Sequence, residues 1–199
     1  MRAWEPSCHL QPQTSCSATG RRTTVHGMVE PEEIRTERLV LSRIQPADAD
    51  AFIALHGTPE AYPHDSRFQR TPEQAREQLD WFREKWAADG IGYWTIRLAT
   101  SGEVIGFGGV QHKDEDDDPV LNLFYRFFPT AWGNGYATEM ARAAISWARQ
   151  HRPDRPVVIT TDVGNSPSIR IAEKLGFARH SERERDGWPE VVFRLAPAR

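Results

Sequence analysis

Apolar and polar side chains fall into a regular pattern from about residue 34 onward, and from there short strands alternate with amphipathic helices. Residues 38–44 alternate as a strand. The spacing then lengthens to that of a helix over 47–56, with Phe52, Ile53 and Leu55 as its apolar side and Pro46 in its first turn. A connection over 57–70, containing proline and histidine, leads to Thr71-Pro72-Glu73-Gln74, which places threonine at an N-cap, proline at N1 and glutamine at N3. The helix that follows carries Ala75, Leu79, Phe82 and Trp86 in one stripe and stops at Asp89-Gly90. Strand patterning returns over 91–98 and 103–112, joined by a hairpin turn at 99–102, and again over 120–127. The acidic run within 113–119 reads as a solvated loop, because adjacent carboxylates repel each other in a packed element. After a break at 129–135, Met140, Ala144, Trp147 and Ala148 mark a helix over 136–150, and 157–162 is a β-branched strand. Ser166-Pro167 opens a short helix ending at Leu175-Gly176, and strands 177–185 and 191–195 flank the turn Asp186-Gly187-Trp188-Pro189. No internal repeat is visible, and the pattern is that of an α+β fold.

Length and composition narrow this picture. A chain of 199 residues accommodates one domain and a tail. Residues 1–33 are rich in Ser, Thr, Pro and Gln and read as a disordered tail, leaving 34–199 as the domain. Met28 stands just before the patterned region, so the first 27 residues read as a tag, an extension or a mis-assigned start. They contain three Arg and one Glu; the remaining 22 basic and 27 acidic residues give a net charge of -5, against -3 for the whole chain. That balance argues against a nucleic-acid binder. The only cysteines, Cys8 and Cys16, lie in the tail, and with His9 and His26 they fit no standard zinc spacing, so no metal site is expected. No apolar run approaches the roughly 18 residues that span a bilayer, and the N-terminus lacks a secretory apolar core, which predicts a cytoplasmic protein without a membrane partner.

The sharpest chemical feature is Ala131-Trp132-Gly133-Asn134-Gly135-Tyr136-Ala137-Thr138-Glu139-Met140, a glycine turn between a strand and a helix. Such a turn aims backbone N–H groups and the positive end of a helix dipole at one point, where a pyrophosphate can bind. No Gly-Lys-Ser/Thr follows, and no third glycine completes a dinucleotide fingerprint, so a nucleoside triphosphate or NAD is disfavoured. A plain strand-to-helix turn is the alternative reading.

The order of elements, together with AWGNGYATEM and NSPSIRIAEKLGF, resembles the GNAT superfamily of acetyl-CoA-dependent N-acetyltransferases. Over 35–195 the chain looks most like the RimJ/RimL-type ribosomal-protein N-terminal acetyltransferases. The resemblance implies a twisted, mixed, mostly antiparallel sheet of about seven strands with about four helices. It also implies a splay between the fourth and fifth strands, here 120–127 and 157–162. The family's acyl-CoA loop falls on Trp132, Gly133, Asn134, Gly135, Tyr136 and Ala137, with Thr138 following; Trp132 replaces the usual Gln/Arg. Backbone groups of Phe127 and Phe128 would hold the pantetheine arm and polarise the thioester carbonyl. Asn165 resembles the asparagine that contacts the cofactor, and Ser168 the serine suggested to protonate the departing thiolate; both also suit a helix start.

Two departures bear on mechanism. Ala172 stands where many members carry a general-acid tyrosine, and Asn122 where many carry a glutamate base. Asp162 and His112 are candidate bases, as are Glu115, His64 and Asp65. With no cysteine after residue 27, direct attack by the amine is favoured over a cysteinyl intermediate. The resemblance therefore implies acetyl transfer from acetyl-CoA to a protein N-terminal or small-molecule amine, by a monomer or homodimer. The alternative is a non-catalytic acyl-CoA-binding or interaction module.

Overall fold

A computed structural model describes residues 33–64, 66–115 and 118–197. Its strands are β1 (Glu33–Arg35), β2 (Leu39–Arg43), β3 (Tyr93–Leu98), β4 (Val104–Glu115), β5 (Asp118–Phe127), β6 (Val157–Asp162), β7 (Ala178–Arg185) and β8 (Trp188–Leu195). The helices are α1 (Ala49–Gly57), α2 (Pro72–Asp89), α3 (Tyr136–His151) and α4 (Ser166–Lys174). The eight strands form one sheet in the order β1-β2-β3-β4-β5-β6-β8-β7, antiparallel except where β5 meets β6. The α+β fold with four helices and an open mixed sheet is as expected, with one more strand than the pattern predicts. The extra strand is β1, whose three residues pair with β2 and are too few to show a period. The expected tail falls on residues outside those described, apart from Glu33, which begins β1.

The two sheet faces are covered by different helices. On one, Phe52 and Leu55 of α1 and Ala75, Leu79 and Phe82 of α2 form an apolar cluster with Tyr93 and Phe107. On the other, Met140, Ala141 and Ala144 of α3 and Ala172 of α4 join Leu39, Ile96, Leu121 and Leu123. The α2 start follows the sequence closely. Thr71 accepts from the Gln74 amide, the Gln74 side chain returns the bond, and Gly90 ends the helix with φ 65°. In β4, Gly109 takes φ 142°, and a Cβ there would lie 2.2 Å from the Trp94 ring, so the indole, diagonal to it across the strand pair, requires glycine there.

The acidic run differs from expectation. β4 continues to Glu115 and β5 begins at Asp118, so much of the run lies in a long hairpin. Cations offset the repulsion: Lys113 of the same strand and Arg183 of β7 pair with buried Glu115, and Arg194 of β8 pairs with Asp118 at 2.5 Å. The final hairpin is also tighter than its pattern suggests, turning on Asp186 and Gly187 alone, both at positive φ.

Candidate active site

β5 and β6 pair only at Leu121 with Val157 and Asn122 with Val158, and then part. The Leu121 N–H donates to Pro156 O at 2.9 Å, so by strand alternation Leu123, Tyr125 and Phe127 turn their backbone groups toward the opening. Phe127 C=O accepts the Trp132 indole N–H at 3.1 Å. The Phe128 N–H points the other way, to Ile105 O at 3.0 Å. Of the two expected backbone anchors, Phe127 therefore faces the opening and Phe128 completes the β4 ladder.

The glycine turn follows β5 directly. Gly133 and Gly135 take φ 77° and 78°, and a Cβ on Gly133 would meet nothing within 4 Å. Backbone conformation, rather than crowding, thus demands glycine there. The Glu139 N–H bonds to Gly135 O, which leaves the Tyr136, Ala137 and Thr138 N–H groups as the open first turn of α3. Together with the helix dipole they suit an anion. The Asn134 side chain donates to Ala131 O and Trp132 O and shapes the turn. Trp132 is exposed, and its ring offers no charge to a phosphate.

Arg38 supplies a charge that the turn itself lacks. Its Nη1 donates to Asn134 O at 3.0 Å, and its guanidinium lies 4.9 Å from the Tyr136 ring centroid. Glu139 fixes this arrangement, accepting from Thr36 Oγ1, Arg38 N and Arg38 Nε at 2.6, 2.9 and 2.7 Å. Burial opposes the Glu139 charge, but these donors outweigh it and hold the carboxyl below its ordinary range. An acidic residue in the first turn of α3 is a visible sequence signal. Its partner more than a hundred residues upstream is not.

At the far side of the opening, the Asn165 side chain accepts from the Ser168 N–H at 3.2 Å and caps α4. The Ser168 hydroxyl accepts from the Tyr125 hydroxyl at 3.3 Å, a contact between β5 and α4. On the opposite face of β5, Asn122 Nδ2 donates to the Tyr93 hydroxyl at 2.7 Å. Burial raises the Tyr93 phenol to about 12, with Asn122 pulling the other way. Neither tyrosine is marked by a motif, since each partner sits on another element.

The remaining candidates lie elsewhere or hold structure. Asp162 Oδ1 accepts from the Gly164 N–H at 2.7 Å and shapes the turn from β6 into α4. His112 pairs with Leu121, one position from Asn122, but shares the Leu121 face of the sheet, opposite to that of Asn122 and Tyr93. Burial and then Arg152 lower its pKa. Glu115 is desolvated, yet Lys113 and Arg183 keep its carboxyl below the usual range. His64 is exposed, and Asp65 lies outside the described residues. Among the described residues, no group of three or more His, Cys, Asp or Glu could hold a metal ion, and no helix is long and apolar enough to cross a membrane.

Residues 38–178 match the family described as Acetyltransferase (GNAT) domain. Uncharacterized protein YkkB of Bacillus subtilis (strain 168) is 30% identical over 142 residues, covering 71% of this chain and 82% of YkkB. Mycothiol acetyltransferase of Salinispora tropica is 26% identical over 76% of this chain but only 48% of its own length, so the chain spans about half of that relative. Among solved structures, a putative GnaT-family acetyltransferase from Bordetella pertussis superposes with TM-score 0.73 at 25% identity, covering 82% of this chain and 99% of that one. RimL, a ribosomal L7/L12 alpha-N-protein acetyltransferase in complex with coenzyme A, gives TM-score 0.68 at 15% identity, covering 82% and 97%, a likeness of fold.

Proposed function

Because the chain belongs to the GNAT acetyltransferase family and is an acyltransferase of that type, we propose that it transfers the acetyl group of acetyl-CoA to a primary amine by direct attack. The acceptor is a protein N-terminal α-amine or a small-molecule amine. Within the family we place it with the RimJ/RimL type, on the Ala131 to Met140 stretch with Trp132 at the start of its loop. The observation that carries the reading is the β5–β6 opening, with the glycine turn following β5 directly. The two features suit the two parts of acetyl-CoA, an extended amide-bearing arm and a pyrophosphate.

The first-turn amides of α3, from Tyr136 to Thr138, take the pyrophosphate, and Gly133, Asn134 and Gly135 let it approach closely. The backbone edge of Leu123, Tyr125 and Phe127 takes the pantetheine arm in place of a β6 partner. A backbone N–H of that edge, aimed at the thioester carbonyl, stabilises the oxyanion as the amine attacks. Holding both reactants at one point supplies much of the acceleration. Asn122 cannot remove a proton, so with Tyr93 it orients the amine or a water, and the amine proton leaves through water. Ser168 takes the catalytic role at the opening, with Asn165 positioning it. Asp162 serves the turn that carries them, and His112 lies on the opposite face of the sheet from Asn122 and the amine. The reading puts the protein in the cytoplasm, where acetyl-CoA is available.

A second reading, a non-catalytic acyl-CoA-binding module, draws on Asn122 at the position of a base. Thiol release from acetyl-CoA, measured across peptides, polyamines, aminoglycosides and amino acids, separates the two. Amine-dependent release with at least one class is the expected result. Tight acetyl-CoA binding without release on any amine would instead establish the module.

A further inference from the structure

The opening carries two separate polar pairs, on opposite faces of the same strand. Asn122 with Tyr93 lies on the α1–α2 face, and three residues along β5 the Tyr125 hydroxyl reaches Ser168 of α4 on the other. Tyr125 shares its face with Phe127, their ring centroids 6.4 Å apart, and packs against the cluster under α3 and α4. The hydrogen bond runs from the phenol to the serine oxygen, which leaves the serine proton free to turn toward a group in the opening.

We propose that Tyr125 and Ser168 form a two-hydroxyl relay that protonates the thiolate leaving the thioester, with Tyr125 supplying from β5 the phenol that α4 lacks at Ala172. The inference rests on the acetyl-transfer reading and extends it to a particular proton. As the tetrahedral adduct collapses, the C–S bond breaks and its electron pair passes to sulfur. Sulfur takes the Ser168 proton, Ser168 takes the Tyr125 proton, and the phenolate recovers one from solvent, into which the acceptor nitrogen has released its own. A serine alone is too weak an acid for this step; the phenol behind it makes the transfer feasible. Burial raises the Tyr125 pKa, with Ser168 acting the other way, so the phenol is protonated and ready at neutral pH. Tyr125 acts through Ser168 and is a relay residue, while Ser168 is the group that touches sulfur.

The test uses the full chain with CoA and two near-isosteric variants, Tyr125→Phe and Ser168→Ala. The ionisation of bound CoA thiol, followed by thiolate absorbance, reads the relay without any turnover. Hydrogen bonds from the pair stabilise the thiolate, so the bound thiol titrates at lower pH in the parent protein than in Tyr125→Phe. In turnover with a competent amine, each variant loses about 100-fold in kcat, with acetyl-CoA affinity held within about twofold. The double variant falls no further than the single ones, as expected of groups acting as a unit. An unchanged thiol titration in Tyr125→Phe, or fully additive losses, overturns the relay while leaving acetyl transfer intact. A protein that binds CoA and shifts its thiol but acetylates no amine supports the hydroxyl pair and overturns the transfer reading. Failure to bind CoA at all overturns both.

Discussion

His56 illustrates how one buried side chain can set the response of this fold to acid. It is 2% exposed, its Nδ1 shares a hydrogen bond with the Tyr62 hydroxyl, and its Nε2 has no partner among the described residues. Burial first, then Arg126 and Arg70, lower its pKa to about 3. The unfolded chain takes up this proton near the ordinary value of 6.5, and the folded chain does not until about 3. Stability contributed by neutral His56 is therefore complete above pH 6.5 and declines as pH falls toward 3, by on the order of 4 kcal/mol. Urea unfolding at pH 7 and pH 4 should show a larger acid loss in the parent chain than in His56→Asn; equal losses would contradict the assignment. Glu139 adds a second acid-sensitive contact. Its carboxyl titrates lower in the folded chain than the ordinary 4.5, so its contribution is present above that value and is lost as pH falls through the folded one. Replacing Glu139 by Gln should cost about 1–2 kcal/mol at pH 7. By calorimetry this appears as a Tm drop of about 3–6 °C, together with weaker acetyl-CoA binding as Arg38 loses its brace.

At the scale of elements, the glycine turn is where backbone conformation and ligand chemistry coincide. Gly135 is at once the N-cap of α3 and a left-handed residue at φ 78°, a conformation costing a residue with Cβ about 1–2 kcal/mol. A Cβ there would also lie 3.7 Å from Arg38 Nη2, the cation beside the place proposed for the pyrophosphate. Gly135→Val should retain the fold by circular dichroism and lose most acetyl-CoA affinity in titration calorimetry; unchanged affinity would move the anion site elsewhere. Helices and the turn were legible in the sequence because their signals are local: the Thr71 and Gln74 capping pair, the stripe from Ala75 to Trp86, and two glycines before α3. The course of the acidic segment was not, because Arg183 and Arg194, which make β-pairing of Glu115 and Asp118 tolerable, arrive from strands late in the chain. The same reason hid Arg38 beside Asn134, Tyr93 beside Asn122, and Tyr125 beside Ser168. Each joins residues on different elements, and no spacing encodes such a contact.

Across the whole molecule, the sheet divides the proposed chemistry by face. α1 and α2 cover the Asn122 and Tyr93 side, where the amine would enter, while α3 and α4 cover the side of the glycine turn, Tyr125 and Ser168. One parallel strand pair, joined at only two registers, leaves the two faces connected through the opening between β5 and β6. An amine can then approach from one face while the thiol departs on the other, and neither step needs a residue to change roles. The most direct test follows both products at once, CoA thiol and N-acetylated amine, for the parent chain and Gly135→Val at equal concentration. Equimolar thiol and acetylated amine are expected from the parent chain and neither from the variant. Thiol release without acetylated amine, or equal rates from both proteins, would contradict the transfer reading.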